Sequence, residues 1–378
     1  MAQITPRKGI SSLTVPKIQN ALVASGPGKL VVSKSIKVPD IKEDQVLVQV
    51  KAVALNPSDW KILDRSYTSG AIAGADFAGI VCKVGNRMTK DLHVGDRVCG
   101  AVFGSNPLCP SNGAFAEYLA AEGDLCMLIP NSMPFASAAS LGIGTMTVGL
   151  ALRSLGILPS NLESLDFLSQ RITHSVADEQ PFAMVYGAST ATGTLAVQCL
   201  SQLGYRPIAV CSPRNFELVK GRGAFAVFDY AEPRSREDIR ELTKGELSIA
   251  FDCITTSKST TMCYGAIGRR GGRYTALEYI PVRLNRRRAD VKPDWILALS
   301  VFGEPVHLAG DYYREAAIDD HDFAAAWTQK VEELLEHKKL IPHPMRTYRT
   351  GLKGIVAGLD RLRKGEVSGC KEVYLLGV

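Results

Sequence analysis

The sequence predicts an α/β chain in two parts, a small all-β barrel and a doubly wound parallel sheet with helices on both faces. Short strands bounded by turn residues run from Ile18 to Pro130. At Pro134 the texture changes to an Ala-, Leu- and Met-rich helical segment, and from Phe182 short apolar strands alternate with helical patterns. At 378 residues and 46% hydrophobic content, the chain can bury a separate core in each part.

In chain order, residues 1–15 read as a loose, flexible tail. Gln45–Leu55 alternates apolar and polar residues for most of its length, as a half-buried strand does, and Phe77–Val84 and Arg97–Phe103 are β-rich. The Val94-Gly95-Asp96 segment and the Asn-Pro, Asn-Gly and Gly-Asn pairs supply turns. Pro134–Leu155 is expected to be a helix broken near Gly142–Gly144, and Gly156–Gln180 is irregular and polar. Phe182–Tyr186, Pro207–Cys211, Ala224–Phe228, Ser248–Ile254 and Gly272–Leu277 are the candidate buried strands, with helices over Thr192–Leu203 and Asn215–Gly221 between them. Lys371–Leu376 again reads as a strand. The expected domains are therefore 16–150 with 341–378 for the barrel and 151–340 for the parallel sheet.

Composition narrows the function. Forty-four Lys and Arg against 38 Asp and Glu leave a net charge of +6, suited to small anionic ligands or an acidic partner and too weak to argue for nucleic acid. No apolar run of 18 residues or signal-peptide pattern is present, so a cytoplasmic protein off the membrane is expected. The nine cysteines are scattered without a CxxC pair, which signals neither a zinc knuckle nor a dithiol site.

Gly187-Ala188-Ser189-Thr190-Ala191-Thr192-Gly193 follows a strand and opens a helix. Small residues there let backbone N–H groups approach a pyrophosphate, which the positive helix end stabilises. An ordinary N-cap gives the same string, so the loop alone leaves both readings open. The second strand adds context, because an NAD site places a carboxylate at its end for the ribose 2′-hydroxyl. This strand ends instead in Ser212-Pro213-Arg214-Asn215, with Lys220 one to two turns on. That set attracts a 2′-phosphate and indicates NADPH, unless Arg214 and Lys220 merely solvate a helix start.

The ordered segments Asn56-Pro57-Ser58-Asp59-Trp60-Lys61, Gly74-Ala75-Asp76-Phe77-Ala78-Gly79 and Val94-Gly95-Asp96-Arg97-Val98, ahead of Gly187–Gly193, resemble the quinone-reductase branch of the medium-chain dehydrogenases. Further segments include Gly113–Tyr118, Tyr186–Thr192, Cys211–Phe216, Phe228–Tyr230, Phe251–Thr255, Phe302–Glu304 and Arg363–Gly369. Together they resemble the trans-acting enoyl reductases of fungal polyketide synthases over nearly the whole chain. The resemblance implies a GroES-like barrel joined to a Rossmann domain that binds NADPH. It implies that Asn56, Pro57, Ser58, Asp59 and Lys61 line the active-site side of the cleft and that Ser189, Thr190, Ala191 and Thr192 bind the pyrophosphate. Ser212, Pro213, Arg214, Asn215, Lys220 and Tyr230 would hold the adenosine 2′-phosphate and adenine. Leu277 and Glu278 would lie beside the nicotinamide half, Val367 and Ser368 would close over it, and Thr147 would contact its carboxamide. Val301, Phe302, Gly303 and Glu304 would form a substrate-pocket loop. Thr190 and Ala191 stand where ordinary quinone reductases repeat glycine, as in the narrower group.

Zinc enzymes of this superfamily need a Cys near the end of the long barrel strand, where Asn56-Pro57 stands here, so no metal is expected. Without a Lewis acid the hydride acceptor must already be activated, and an α,β-unsaturated thioester is. Lys61 is the candidate for stabilising the developing enolate or delivering a proton, the alternative being a solvated lysine. Thr147 is a candidate orienting hydrogen-bond donor. Gly142, Ile143, Gly144 and Thr145, with Val301–Glu304, could flank a channel for an extended chain or simply make turns. The basic run Arg283, Arg286, Arg287 and Arg288 is either a solvated face or a dock for an acidic carrier. The expected partner is an acyl-carrier-bound intermediate of a polyketide synthase or PKS-NRPS, met by a monomer. A freestanding quinone or alkenal reductase and a non-catalytic cofactor-binding regulator remain the alternatives.

Overall fold

The computed structural model describes residues 14–160, 162, 180–280 and 288–377. The tail up to residue 13, most of the polar stretch within Gly156–Gln180, and Arg283, Arg286 and Arg287 lie outside the described residues.

The strand Gln45–Ala54 organises the barrel. It pairs antiparallel with Asp76–Val84, Tyr118–Glu122 and Lys371–Leu375. Register places Ala54 opposite both Asp76 and Val373, so the chain leaves this strand at Asn56 beside two other strand ends. Asp76–Val84 pairs onward with Arg97–Ala101, and Lys371–Leu375 pairs in parallel with Met345–Tyr348. A hairpin of Ile18–Gly26 and Lys29–Lys37 lies alongside.

The second sheet has six parallel strands. In the order of their pairing they are Ala226–Asp229, Arg206–Cys211, Phe182–Tyr186, Ile249–Asp252, Gly272–Ala276 and Val291–Trp295. Numbered along the chain this is the order 3-2-1-4-5-6 of the Rossmann fold, whose switch point lies beside the first strand, where dinucleotides bind. The edge strand Val291–Trp295 carries Lys292, Pro293 and Asp294 in place of an apolar run.

The helical segment after Pro134 is two helices, Phe135–Ala139 and Gly142–Ser154, with the break at Ser140–Leu141. Gly142 starts the second because a Cβ there would lie 2.3 Å from both the Asp76 Oδ1 and the Gly100 carbonyl oxygen. Gly142–Leu152 is buried on every side. Such all-round burial follows from its apolar composition, and the helix packs between the barrel, Ala191–Gln202 and Ile318–Glu336. Trp327 of that last helix is buried and donates its indole N–H to the Thr145 carbonyl at 2.8 Å.

Candidate active site

The cleft between the two sheets holds a cavity of about 710 Å³. On the barrel side it is lined by Asn56, Pro57, Ser58, Lys61 and Arg65, with Ile143 and Thr147 from the central helix. Across from them stand Ser189, Thr190, Ala191 and Thr192, then Ser212, Arg214, Tyr230, Leu277 and Glu278. Val367 and Ser368 border it from the C-terminal loop, and Ile62, Leu297, Ala298, Leu299 and Leu308 give it an apolar wall.

Gly187 turns the first strand into the phosphate loop with φ +73°, a conformation that favours glycine. Thr190 caps the helix that follows, its hydroxyl accepting from the Gly193 N–H at 3.0 Å. Asn215 lies outside the cavity lining but braces it, its amide donating to Ser189 at 3.1 Å and Ser368 at 3.2 Å. Ser212 donates to the Tyr230 hydroxyl at 3.2 Å. No acid terminates the second strand, and Arg214 is exposed at the cavity margin without an ion pair among the described residues. Lys220 stands apart from the cavity lining and is paired with Glu217 at 2.9 Å. A loop of small residues, a helix N-terminus and an unpaired guanidinium beside two hydroxyls form a donor set that fits a dinucleotide carrying a 2′-phosphate.

The turn at Asn56 is held from beneath. Its side-chain amide donates to Asp76 at 2.9 Å and its carbonyl oxygen accepts from the Lys371 ammonium at 3.0 Å. Lys371 also pairs with Asp76, whose other oxygen accepts from the Ile143 N–H at 2.6 Å. All three side chains are buried, so the ion pair carries the hydrogen bonds a buried charge requires. Asp59 does not line the cavity. It accepts from the Asn56 N–H at 2.7 Å, and burial, against that bond, raises its carboxyl to about 7.

Lys61 reaches across the cleft to Glu278, which also accepts from the Tyr312 hydroxyl and lies 3.7 Å from Arg65. Burial pushes the Glu278 carboxyl up, but hydrogen bonds from Lys61 and Tyr312 and the Lys61 charge outweigh it and leave it below its ordinary value. Tyr312 is pushed up to about 12 by burial, and by its bond to Glu278. Thr147 lines the cavity, and its hydroxyl donates to the Ile143 carbonyl of its own helix at 2.6 Å.

Gly142, Gly144, Thr145 and Pro213 do not line the cavity, and neither does the Val301–Glu304 segment. Val301 is fully buried, and Gly303 ends a short turn of helix. Phe302 and Glu304 border a separate cavity of about 340 Å³ on the barrel flank. Sequence reasoning missed Tyr312, Arg65, Lys371 and His343. His343, which stands between two prolines, is buried at the cavity with Nδ1 2.8 Å from the Thr194 hydroxyl, and burial lowers its pKa to about 3. A signal was available for Lys371 and Glu372, two adjacent charges opening an apolar strand. Among the described residues no cluster of three His, Cys, Asp or Glu could hold a metal, and no helix is long and apolar enough to cross a membrane.

A barrel, a 3-2-1-4-5-6 sheet and a cofactor-sized cavity between them define a medium-chain dehydrogenase, an oxidoreductase that uses a nicotinamide cofactor. Residues 42–131 match the alcohol dehydrogenase GroES-like domain family. The chain is 44% identical over 361 residues to the trans-enoyl reductase caaB of Aspergillus niger, covering 95% of this chain and 98% of that protein. It is 43% identical over 366 residues to a trans-enoyl reductase of Gibberella fujikuroi, covering 96% and 100%. The quinone oxidoreductase of Coxiella burnetii shares the fold, with a TM-score of 0.67 at 20% identity over 95% of this chain and 100% of that one. This chain belongs to the trans-enoyl reductases.

Proposed function

We propose that this protein transfers a hydride from NADPH to the β-carbon of an α,β-unsaturated acyl thioester carried by a partner polyketide synthase or PKS-NRPS, and that it needs no metal to do so. The observation that supports this most is the one cavity joining the phosphate loop, an acid-free second strand bearing Arg214, and Lys61.

A bound nicotinamide supplies the hydride. Thr190 and the helix N-terminus behind it hold the pyrophosphate, with Ser189, Ala191 and Thr192 shaping the loop. Ser212, Arg214 and Tyr230 would receive the 2′-phosphate and adenine, while Asn215 ties Ser189 to Ser368 beside them. Thr147 would orient the carboxamide, and Val367 and Ser368 would close over that half. On the barrel side Asn56–Ser58, fixed by Asp76 and Lys371, form the floor on which the reacting carbons lie. As hydride arrives at the β-carbon, negative charge moves to the thioester oxygen and the α-carbon takes a proton. The Lys61 ammonium stabilises that charge and has a proton to give. The apolar wall of Ile62, Leu297, Leu299 and Leu308 receives the acyl chain.

The protein acts as a monomer in this reading. The exposed edge strand Val291–Trp295 contains Pro293, which has no N–H for a further strand, flanked by charges that discourage pairing.

The test compares NADPH consumption with an enoyl thioester of N-acetylcysteamine and with a diffusible quinone. Turnover of the thioester, giving the saturated acyl product, supports the proposal. Quinone turnover alone would make the protein a freestanding quinone reductase, and no turnover with either, alone or with the carrier-bound substrate, would make it a non-catalytic binder.

A further inference from the structure

Lys61 lies on the helix Pro57–Arg65 of the barrel, Glu278 follows the strand Gly272–Ala276 of the parallel sheet, and Tyr312 ends a turn at Gly310–Tyr312. Three separate parts of the chain therefore meet at one carboxylate on the cavity wall. Glu278 accepts from the Lys61 ammonium with one oxygen and from the Tyr312 hydroxyl with the other. Behind them Tyr312 packs edge-on against Trp295 at 5.5 Å, and Trp295 is held in turn by Tyr279 at 5.9 Å and by Arg314 over its ring at 4.1 Å. The Ala309 N–H donates to Ser66 at 2.9 Å, tying the Tyr312 turn to the end of the Lys61 helix.

We infer that Glu278, fixed by Tyr312, is a positioning residue that aims the Lys61 ammonium at the reacting thioester. A lysine on a four-carbon stem samples many rotamers, and a carboxylate held from behind selects one of them. The ammonium has three donors and spends one on Glu278, so two remain for substrate. Arg65 shares the carboxylate, and two cations around one anion leave the wall net positive, as a developing enolate requires. This inference rests on the reading of Lys61 in the proposed function.

The test is a double-mutant cycle on the intact protein, with NADPH and the but-2-enoyl thioester of N-acetylcysteamine. Lys61→Met, Glu278→Gln, Tyr312→Phe and the Lys61→Met/Glu278→Gln pair are compared by kcat and KM, with thermal unfolding as the control for folding. Glu278→Gln should lower kcat about tenfold and KM should move less, because an aimed charge acts in the transition state. Tyr312→Phe should lower kcat in the same direction by a smaller factor, and it decides the matter if Glu278→Gln does not fold. In the Lys61→Met background Glu278→Gln should change kcat by less than about twofold, since the two act as a unit. Multiplying losses in the pair, or wild-type kcat for both Glu278→Gln and Tyr312→Phe while Lys61→Met is slow, would overturn the inference and leave Lys61 in place. Wild-type turnover in Lys61→Met would remove the role of Lys61 and the inference with it.

Discussion

At the scale of single residues, two groups set measurable properties of the site. Among the described residues Arg214 is the one guanidinium lining the cavity beside Ser212 and Tyr230, where the proposal places the 2′-phosphate, and Lys220 is engaged by Glu217 instead. A charge-assisted contact to phosphate contributes on the order of 1.5–3 kcal/mol, so Arg214→Asp should cut the preference for NADPH over NADH at least tenfold. Fluorescence titration with both cofactors checks this, and an unchanged ratio would place the 2′-phosphate elsewhere. His343 contributes to the dependence of stability on acid. Its folded pKa of about 3 lies below the ordinary 6.5, so the unfolded chain binds the extra proton first. Its contribution is therefore complete above pH 6.5 and is lost as pH falls from there towards 3, at about 1.4 kcal/mol per pH unit. Asp59, its carboxyl raised to about 7 by burial, acts in the opposite direction over the same range, so the loss is read as a difference: in denaturant melts at pH 7 and pH 4 the wild type should lose stability relative to His343→Gln. The sequence hid His343, because Pro-His-Pro describes a loop and carries no sign of the Thr194 hydroxyl that the fold brings to it.

Among the elements, short apolar strands were legible and long-range partners were not. Phe182–Tyr186 and Gly272–Ala276 stand as expected because short apolar runs between turn residues have few other uses. The helices Ile318–Glu336 and Leu352–Arg363 escaped notice. In the first, buried Phe323, Trp327 and Leu334 are interleaved with Asp320, Lys330 and Glu333, and in the second Leu352, Ile355 and Leu359 are interleaved with Lys353, Asp360 and Arg361. The phosphate loop was readable because local chain geometry makes it. The Asn56–Asp76–Lys371 cluster was not, since it joins residues up to 315 positions apart through strand register. The Val301–Glu304 segment stands away from the cavity for a related reason: its turn packs into the core under Ile318–Glu336. The close approach at Gly142 gives a test at this scale. Gly142→Ala forces a methyl into Asp76 and the Gly100 carbonyl, so thermal unfolding should show a loss of about 1–3 kcal/mol, typical of overpacking. An unchanged melting midpoint would mean that the helix start can shift freely.

The whole molecule works by bringing a barrel and a parallel sheet to opposite walls of one cavity. Contacts that hold the walls together include the ion pair of Lys90 with Glu332 and that of Lys61 with Glu278, so domain placement and the proposed chemistry share residues. If Pro293 and its flanking charges keep the edge strand Val291–Trp295 unpaired as proposed, light scattering should give the mass of one chain, and a dimer would contradict that role. The central claim is that hydride reaches the β-carbon of an enoyl thioester rather than a carbonyl carbon or a quinone. It is tested most directly by turnover of an enoyl thioester with NADPH deuterated at the transferring position of the nicotinamide. The account predicts a saturated thioester with one deuterium at the β-carbon and a solvent-derived proton at the α-carbon. Deuterium at the carbonyl carbon, as in an aldehyde or alcohol product, would contradict it.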